Sequence, residues 1–598
     1  MTLRLTIRRR IRFTCRALAL AALGLFATSM VAIRWAPNAW AADDKPRAAS
    51  QAEAGSVPAA PSRRSGPASS DYGIPQVAFI NEQIRAGWAA HNLTPSKEAT
   101  EGEWCRRVYL DVIGRIPSVG ELDAYLKDRS PNKKLTLVNR LLSDEYQEEY
   151  TRNWTAIWTN ILIGRNGGME ENTLTNRDGM QKYLRDSIAR NKTYDKMVHE
   201  LIGATGDTAP GAAHFNGATN FLAGKLEEEG AQATAKTAQI FLGLQIQCTQ
   251  CHNHPFNDWK QNRYWELNAF FRQTRALRSF VPGTDDIRAV RLINEDFAGQ
   301  GNPPNPEEAE IYYELRNGLV KVAYPVFVDG SEISKSGYLE DSIRRTKLAD
   351  LVVQSEYMPK VMANRMWGHF LGYGFTKPVD DLGPHNAPSH PELLDYLGKE
   401  FAKNSFDVKT LIRWIVLSEP YSLSSRGVAG NKADDPLLGE KPQFTHFYLR
   451  QMRAEELYQS LLVATAAQKA VGSYEQREKE MREWMRQFVI AFGNDEGEET
   501  TTFNGTIPQA LMMMNGDLIQ KAVNCEPGSF LHTVAANDNL AAGAKINYLF
   551  LAALSRGPTS SELGVANKLF TARGNDTAAA LQDIWWAVLN SNQFILNH

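Results

Sequence analysis

Apolar residues recur at helical spacing along most of this chain, and this recurrence constrains its fold more than any other feature. The first such stripe comprises Phe79, Ile80, Ile84 and Trp88. A stripe of this kind must be buried against other elements, and we interpret tryptophans within it as core residues. The chain has 598 residues, more than a single hydrophobic core holds. The sequence therefore predicts a mainly α protein with two helical domains.

The same periodicity continues in later segments, and one stretch departs from it. Further helices are predicted at Trp104–Ile113, Leu135–Leu142, Trp154–Leu162, Ala231–Gln247, Leu348–Phe370, Leu393–Phe401 and Leu411–Val416. Glu475–Arg486 is dense in charge and is predicted to be a solvated helix. In contrast, Val320–Tyr324 alternates and Pro325–Val328 continues the apolar run, which predicts a small β element between the two helical domains.

The first 41 residues have the pattern of a signal peptide. Five arginines between Arg8 and Arg16 precede an apolar run, Ala17–Ile33, and Ala39–Ala41 supplies a small-residue cleavage pattern. The apolar run is short for a spanning helix, so we expect no stable membrane span after cleavage. The mature chain is expected in the periplasm or outside the cell. Residues 42–72, rich in Ala, Ser, Pro and Arg, are predicted to be a disordered linker.

Charge and cysteine content narrow the class of function. The formal net charge is -2, so the chain lacks the basic excess typical of proteins that bind nucleic acid. After cleavage of the leader, the cysteines are Cys105, Cys248, Cys251 and Cys525. These are too few for a disulfide framework. Cys248 and Cys251, which are close in sequence, are therefore interpreted as a local functional site.

Cys248, Cys251 and His252 form a C-x-x-C-H motif, the pattern by which haem c is attached. Two thiols one helical turn apart can reach the two vinyl groups of a porphyrin, and the adjacent imidazole becomes the axial ligand. The motif predicts these three residues as the haem-binding residues. Alternatives are a disulfide or redox dithiol, and a site for zinc or another divalent metal. The metal site would use His252, His254 and His390.

Two positions around the motif stay open. His254 is too close to His252 to reach the opposite face of the same haem, and it is equally well a turn residue fixed by Pro255. A sixth iron ligand could come from the methionine run or from a later histidine, although core packing explains the methionines more simply. These candidates are Met512, Met513, Met514, His369, His385 and His390.

A second group of candidate site residues follows in the later helical domain. Asp380, Asp381 and His385 lie in a predicted polar loop, where acidic side chains could bind a cation or act as acid and base. Arg365 and Trp367 could bind a sugar or a carboxylate, and an ion pair within the fold is an equal explanation. The chain contains no nucleophile elbow, phosphate loop or dinucleotide fingerprint, so its status as an enzyme stays open.

Several further motifs lie along the chain at Arg106–Asp111, Gly114–Pro117, Phe241–Gly243, Cys248–Phe256, Asn364–Trp367, Gly372–Gly374, Asp380–Gly383, Ser389–Leu394, Pro508–Leu511, Leu554–Arg556 and Leu589–Phe594. Together these motifs resemble a planctomycete-type family of exported proteins in which a DUF1549 (PSCyt2-like) domain precedes a DUF1553 (PSD1-like) domain. The resemblance implies a first domain at 73–275, a linker with the β element at 276–338 and a second domain at 339–598. One departure is Glu498–Asn504, where relatives often carry a cysteine.

These observations favour an exported c-type-cytochrome-like protein that takes part in extracytoplasmic electron transfer or redox chemistry. Its partners would be a redox partner protein or glycan-processing proteins, because the resemblance implies a setting of polysaccharide breakdown. The contrasting interpretation is a non-haem binding or scaffold protein with a disulfide or metal at the C-x-x-C-H-x-H segment. A third is a hydrolase that uses Asp381, His385 and His390.

Overall fold

The computed structural model describes residues 71–465, 483, 513–514 and 516–598. Helices dominate this part of the chain and strands are few and short, which confirms the prediction of a mainly α fold. None of its helices is both long and apolar enough to cross a bilayer. The predictions that lie outside the described residues are the signal peptide at 1–41, the linker up to residue 70, the helix at Glu475–Arg486 except for Glu483, and Met512.

The first region consists of short helices, of which the apolar stripes predict those near 79–88, 104–113, 135–142 and 154–162. The predicted helix Ala231–Gln247 is wrong beyond Leu242, because Gly243 adopts the left-handed conformation and ends it. Its helices are α1 (Pro75–Ala90), α2 (Glu101–Ile113), α3 (Val119–Lys127), α4 (Lys133–Leu141), α5 (Gln147–Ile163), α6 (Arg177–Ala189), α7 (Tyr194–Gly203), α8 (Asn220–Ala223), α9 (Glu227–Thr237) and α10 (Gln261–Asn268). A π-helical turn, Ala238–Leu242, continues α9, and a 3-10 turn, Gln247–Gln250, follows.

The second region is also built of short helices, and the single helix predicted at Leu348–Phe370 is wrong, because the chain is extended at Ser355 and two helices form instead. Its helices are α11 (Arg344–Gln354), α12 (Tyr357–Leu371), α13 (Pro391–Lys403), α14 (Val408–Val416), α15 (Glu419–Ser422), α16 (Ala454–Ala464), α17 (Asp517–Ala522), α18 (Phe530–Ala535), α19 (Ala542–Leu554), α20 (Ser560–Ala572), α21 (Thr577–Leu589) and α22 (Asn592–Ile595). Further 3-10 turns connect these elements at Asp144–Tyr146, Gly217–Thr219, Ala269–Phe271, Pro306–Glu308, Ala429–Asn431 and Pro436–Leu438.

The strands form three small antiparallel sheets. They are β1 (Gly206–Asp207), β2 (Thr274–Phe280), β3 (Ile287–Asn294), β4 (Ile311–Glu314), β5 (Val320–Ala323), β6 (Arg450–Gln451) and β7 (Leu596–Asn597). Strand β3 lies between β1 and β2, β4 pairs with β5, and β6 pairs with β7. Strands β2 to β5 lie in the sequence between the two helical regions, and β1 lies within the first region. The third sheet pairs Arg450–Gln451 with Leu596–Asn597.

The predicted β element is confirmed in part. Val320–Ala323 is strand β5, and its Val322 pairs with Tyr312 of β4. The predicted continuation through Pro325–Val328 is wrong, because only an isolated bridge from Val326 to Glu332 forms there. Proline lacks the N–H that a strand interior needs, which accounts for the end of pairing.

Helix α2 shows how the sequence sets local structure and then long-range contacts. A capping box between Thr100 and Glu103 starts the helix, and Gly114, in the left-handed region at φ 76°, ends it. Nearly every residue between these ends is buried, including Arg106 and Arg107. Such a helix must meet packing partners on every face.

The buried arginines of α2 hydrogen-bond to backbone carbonyls of the second region. Arg106 donates to Phe594 O at 2.8 Å and to Ala553 O. Arg107 donates to Leu423 O at 2.9 Å. Its guanidinium carbon lies 3.6 Å from the centroid of the Phe447 ring. Buried guanidinium groups require such acceptors, so the two regions are tied together through this helix.

The hydrophobic cores also cross the boundary between the two regions. One core contains buried residues from Val77 in α1 to Tyr448 in the second region. A second core combines Leu110 and Ile116 of the first region with residues from Met452 onward. The described residues of both regions therefore belong to one compact unit.

Candidate functional site

The C-x-x-C-H motif begins on the 3-10 turn that follows the π-helical turn. Cys248 lies within this turn, Gln247–Gln250, and Cys251 and His252 directly follow it. Cys248 and Cys251 are both exposed, and both are free thiols in the described part of the chain. Thr249 between them is fully buried. The turn therefore faces solvent with its two thiols and faces the core with its threonine.

Three hydrogen bonds hold this turn from its buried side. The Thr249 hydroxyl donates to Ile246 O at 2.6 Å. The carbonyl of Gln250 accepts from the Gln261 amide and from the Trp265 indole, each at 3.1 Å. Gln261 and Trp265 both lie on α10, so this helix supports the backbone while the thiols stay accessible.

His252 is oriented by a local contact. Its Nδ1 lies 2.6 Å from the carbonyl oxygen of Asn253. A carbonyl oxygen can only accept, so Nδ1 carries the proton and the Nε2 lone pair is available. This is the tautomer in which a histidine binds iron or zinc through Nε2 while its second nitrogen is held by the backbone.

His254 has the opposite arrangement. Its ring Nδ1 accepts from the Phe256 backbone N–H at 3.2 Å, and the backbone N–H of His254 donates to Trp259 O at 2.8 Å. Burial lowers the pKa of His254, and the neighbouring His385 lowers it further. The neutral ring therefore carries its proton on Nε2 and organises the turn. Phe256 itself is 77 % exposed.

The structure brings Asp381 and His385 of the second region to this segment. His385 Nε2 lies 3.0 Å from Asp381 Oδ2, and its Nδ1 lies 3.3 Å from the amide nitrogen of Asn257. The His385 and His254 rings are 5.3 Å apart between centroids. Since the Asn257 amide donates to Nδ1, His385 donates from Nε2 to the carboxylate.

Asp380 and Arg365 contact the chain just before the motif. The Asp380 carboxylate accepts from Gln239 Nε2 at 3.0 Å and from Gln245 Nε2 at 3.1 Å. Arg365 donates to the π-turn carbonyl of Ile240 at 2.9 Å and lies 3.9 Å from Asp380. Both side chains are buried, and they join the second region to this segment.

His390 and Trp367 lie in an aromatic cluster of the second region, apart from the contacts of the turn. Trp367 stacks on Phe375 at 4.5 Å, and His390 packs against Phe375 and Phe444. His390 Nδ1 lies 3.0 Å from the Ser389 hydroxyl. Burial lowers the pKa of His390 to about 4. The described residues contain no cluster of three or more His, Cys, Asp or Glu side chains arranged to hold a metal ion.

Two of the other proposed iron ligands are core residues. His369 packs against Trp154 and Phe370, and its Nε2 lies 3.2 Å from Asp111 O. Met513 is buried in the second hydrophobic core.

Sequence reasoning missed the residues that join the two regions at the site. Gln239 and Gln245 are polar positions within the predicted helix Ala231–Gln247, and Asn257 follows the aromatic Phe256. Polar side chains beside an apolar stripe signal a buried hydrogen-bond partner. The partner, Asp380, lies 135 residues beyond Gln245 in sequence, so no local pattern could identify it.

Comparison with protein families accounts for both regions. Residues 79–276 match the model described as PSCyt2, a protein of unknown function (DUF1549). Residues 344–570 match the model described as PSD1, a protein of unknown function (DUF1553). No curated protein and no solved structure matches the chain. The chain therefore belongs to the proteins that join a DUF1549 (PSCyt2) domain to a DUF1553 (PSD1) domain.

Proposed function

We propose that this protein is an exported c-type-cytochrome-like protein. In this proposal Cys248 and Cys251 would hold haem c through thioether bonds, and His252 would bind its iron. The observation that carries the proposal is that both thiols are free and exposed, Cys248 on the 3-10 turn and Cys251 directly after it, with Thr249 buried between them. Attachment to one porphyrin edge requires two accessible thiols at this spacing.

The chemistry of the donor set fits this group. His252 holds its proton on Nδ1 against the Asn253 carbonyl, so Nε2 is free to bind iron. Thr249 and α10 hold the backbone from the opposite side, so modification of the thiols leaves the core undisturbed. Phe256 supplies exposed apolar surface close to His252. Haem iron, when bound, supplies one-electron redox chemistry.

Export is part of the proposal, because haem is attached to C-x-x-C-H motifs outside the bacterial cytoplasm. The arginine-rich leader at 1–41 supports this location. We propose extracytoplasmic electron transfer to a partner protein, in a setting of polysaccharide breakdown that rests on the family resemblance alone. The second region contributes Asp380, Asp381 and His385 to the support of the turn.

The test is covalent haem content. The full chain is exported from a host that matures c-type cytochromes, and a pyridine haemochrome spectrum is recorded on denatured protein. We expect about one haem per chain for the unmodified protein and for Cys525→Ser, whose cysteine lies in the other core. The double variant Cys248→Ser/Cys251→Ser is expected to carry none, and His252→Ala less than the unmodified protein.

A chain that carries no covalent haem would contradict the proposal. Native mass spectrometry then separates the alternatives. A loss of 2 Da, as two hydrogens leave, would identify a disulfide between Cys248 and Cys251, whereas a retained zinc ion would identify a metal site at the motif.

A further inference from the structure

One loop of the second region, Asp380–His385, contacts the chain on both sides of the C-x-x-C-H turn. Before the turn it contacts Gln239, Gly243 and Gln245. After the turn it contacts Asn257. The residues that carry Cys248, Cys251 and His252 therefore form a loop whose two ends are held by the same element.

The first contact is a buried carboxylate that receives two amides. Asp380 is 9 % exposed and accepts from Gln239 and from Gln245, one on each oxygen. Hydrogen bonds to an ionised acceptor are stronger than neutral ones, and a buried carboxylate without donors is costly. Gln239 lies within the π-helical turn and Gln245 three residues before Cys248, so Asp380 fixes the path between them.

The second contact is a close backbone approach. Leu382 N–H donates to Gly243 O at 2.7 Å. Gly243 is in the left-handed region at φ +65°, and a Cβ there would lie 2.9 Å from Leu382 Cγ. Only glycine satisfies both conditions, because its left-handed conformation and its missing side chain are needed together.

The third contact closes the loop from the other side. His385 is held by Asp381 at 3.0 Å and faces the Asn257 side chain at 3.3 Å. Asn257 also accepts from the Trp259 backbone N–H at 3.0 Å, which fixes the turn after Phe256. The Asp381 and His385 pair therefore orients the segment that follows His252.

We propose that Asp380–His385 is a clamp that positions the C-x-x-C-H turn, with Asp380 as its principal positioning residue. The second domain then sets the spacing of Cys248 and Cys251 and the approach of His252. The relevance of this clamp to haem rests on the proposed function, but the clamp itself is a property of the chain and can be measured without haem.

The test is hydrogen exchange of residues 246–256 in full-length protein produced without haem maturation. Asp380→Asn is expected to speed exchange of this segment about tenfold, because an amide side chain cannot accept from both glutamines at full strength. Gln245→Leu keeps every charge and is expected to speed it in the same segment. This second variant decides the outcome if Asp380→Asn does not fold.

Asp434→Asn is the matched control. Asp434 is a buried carboxylate of the same region whose hydrogen-bond partners lie within Gln443–Tyr448. We expect its loss to lower the melting temperature without selective exchange at 246–256. Unchanged exchange at 246–256 in both Asp380→Asn and Gln245→Leu would overturn the clamp, as would the same exchange pattern in Asp434→Asn.

Haem content separates this proposal from the proposed function. If the clamp positions the thiols, Asp380→Asn matured in a competent host carries less haem than Asp434→Asn at equal yield of folded protein. If the protein never binds haem but the variants show selective exchange at 246–256, the cytochrome proposal is wrong and the clamp is supported. If the protein binds haem but the variants show no selective exchange, the clamp is wrong and the cytochrome proposal is supported.

Discussion

The carboxylate of Asp111 accepts a hydrogen bond from the Tyr421 hydroxyl at 2.7 Å, although 310 residues separate them. Asp111 is fully buried, and it also accepts from Asn597 at 2.7 Å and pairs with Arg450. One carboxylate on α2 therefore joins three separate parts of the second region. The Arg106–Asp111 motif that carries the family resemblance has this structural role.

Removing the charge of Asp111 is predicted to destabilise the whole protein. Asp111→Asn leaves Arg450 buried without its carboxylate, and breaking a buried pair costs about 3–5 kcal/mol of unfolding free energy. Urea unfolding measures this change. Asp123→Asn, which breaks the exposed pair with Lys127, is the control and is expected to cost less than about 1 kcal/mol. Equal losses in both variants would contradict the role assigned to Asp111.

Acid is predicted to destabilise the protein through buried histidines. Burial lowers the pKa of His390 to about 4 and that of His369 to about 3, below the ordinary value of 6.5. Between the folded-state pKa and the ordinary pKa, each histidine is protonated in the unfolded chain and neutral in the folded chain. The free energy of unfolding therefore falls as pH decreases from about 6.5 toward 4. Each histidine contributes ~1.4 kcal/mol per pH unit in that window.

Unfolding free energies at pH 7, 6 and 5 measure this effect. His390→Gln cannot titrate, so its stability is expected to fall less steeply with decreasing pH than that of the unmodified protein. His214→Gln, at an exposed position, is the control and should keep the original slope. Identical slopes in all three proteins would show that His390 is protonated without cost in the fold.

Gly243→Ala is predicted to be destabilising because of its backbone conformation and its contact with Leu382. A left-handed alanine costs about 1–2 kcal/mol, and the added Cβ would meet the Leu382 side chain. Gly120→Ala is the control, since a Cβ at Gly120 in α3 meets nothing within 4 Å. There alanine is expected to be neutral or slightly stabilising, because it is the better helix former. Thermal unfolding of both variants distinguishes the two glycines.

The thiols are predicted to react in two classes in protein that lacks haem. Cys248 and Cys251 are exposed and should be alkylated by a neutral maleimide under native conditions within minutes. Cys105 is fully buried and burial raises the pKa of its thiol, so it should react only after denaturant is added. Peptide mass mapping assigns each label. Labelling of Cys105 under native conditions before Cys248 and Cys251 would contradict this prediction.

Much of the fold follows from local sequence. The stripe from Phe79 to Trp88 is helix α1, and the stripe that begins at Trp104 is α2, because burial of an apolar face selects the helical period. The run at Val320–Ala323 is a strand, because alternation of apolar and polar residues matches the two-residue period of a strand. The hairpin of β2 and β3 was not predicted, since exposed Arg278 and Arg288 interrupt its apolar pattern.

The sequence by itself determined the motif Cys248-x-x-Cys251-His252 and the helices around it, because both depend on residues close together in the chain. Only the tertiary structure decided which partners surround it. It joins Asp380 to Gln239 and Gln245, brings His385 beside His254, and places His390 in an aromatic core. These pairings depend on how helices more than a hundred residues apart pack, and no local periodicity encodes that arrangement.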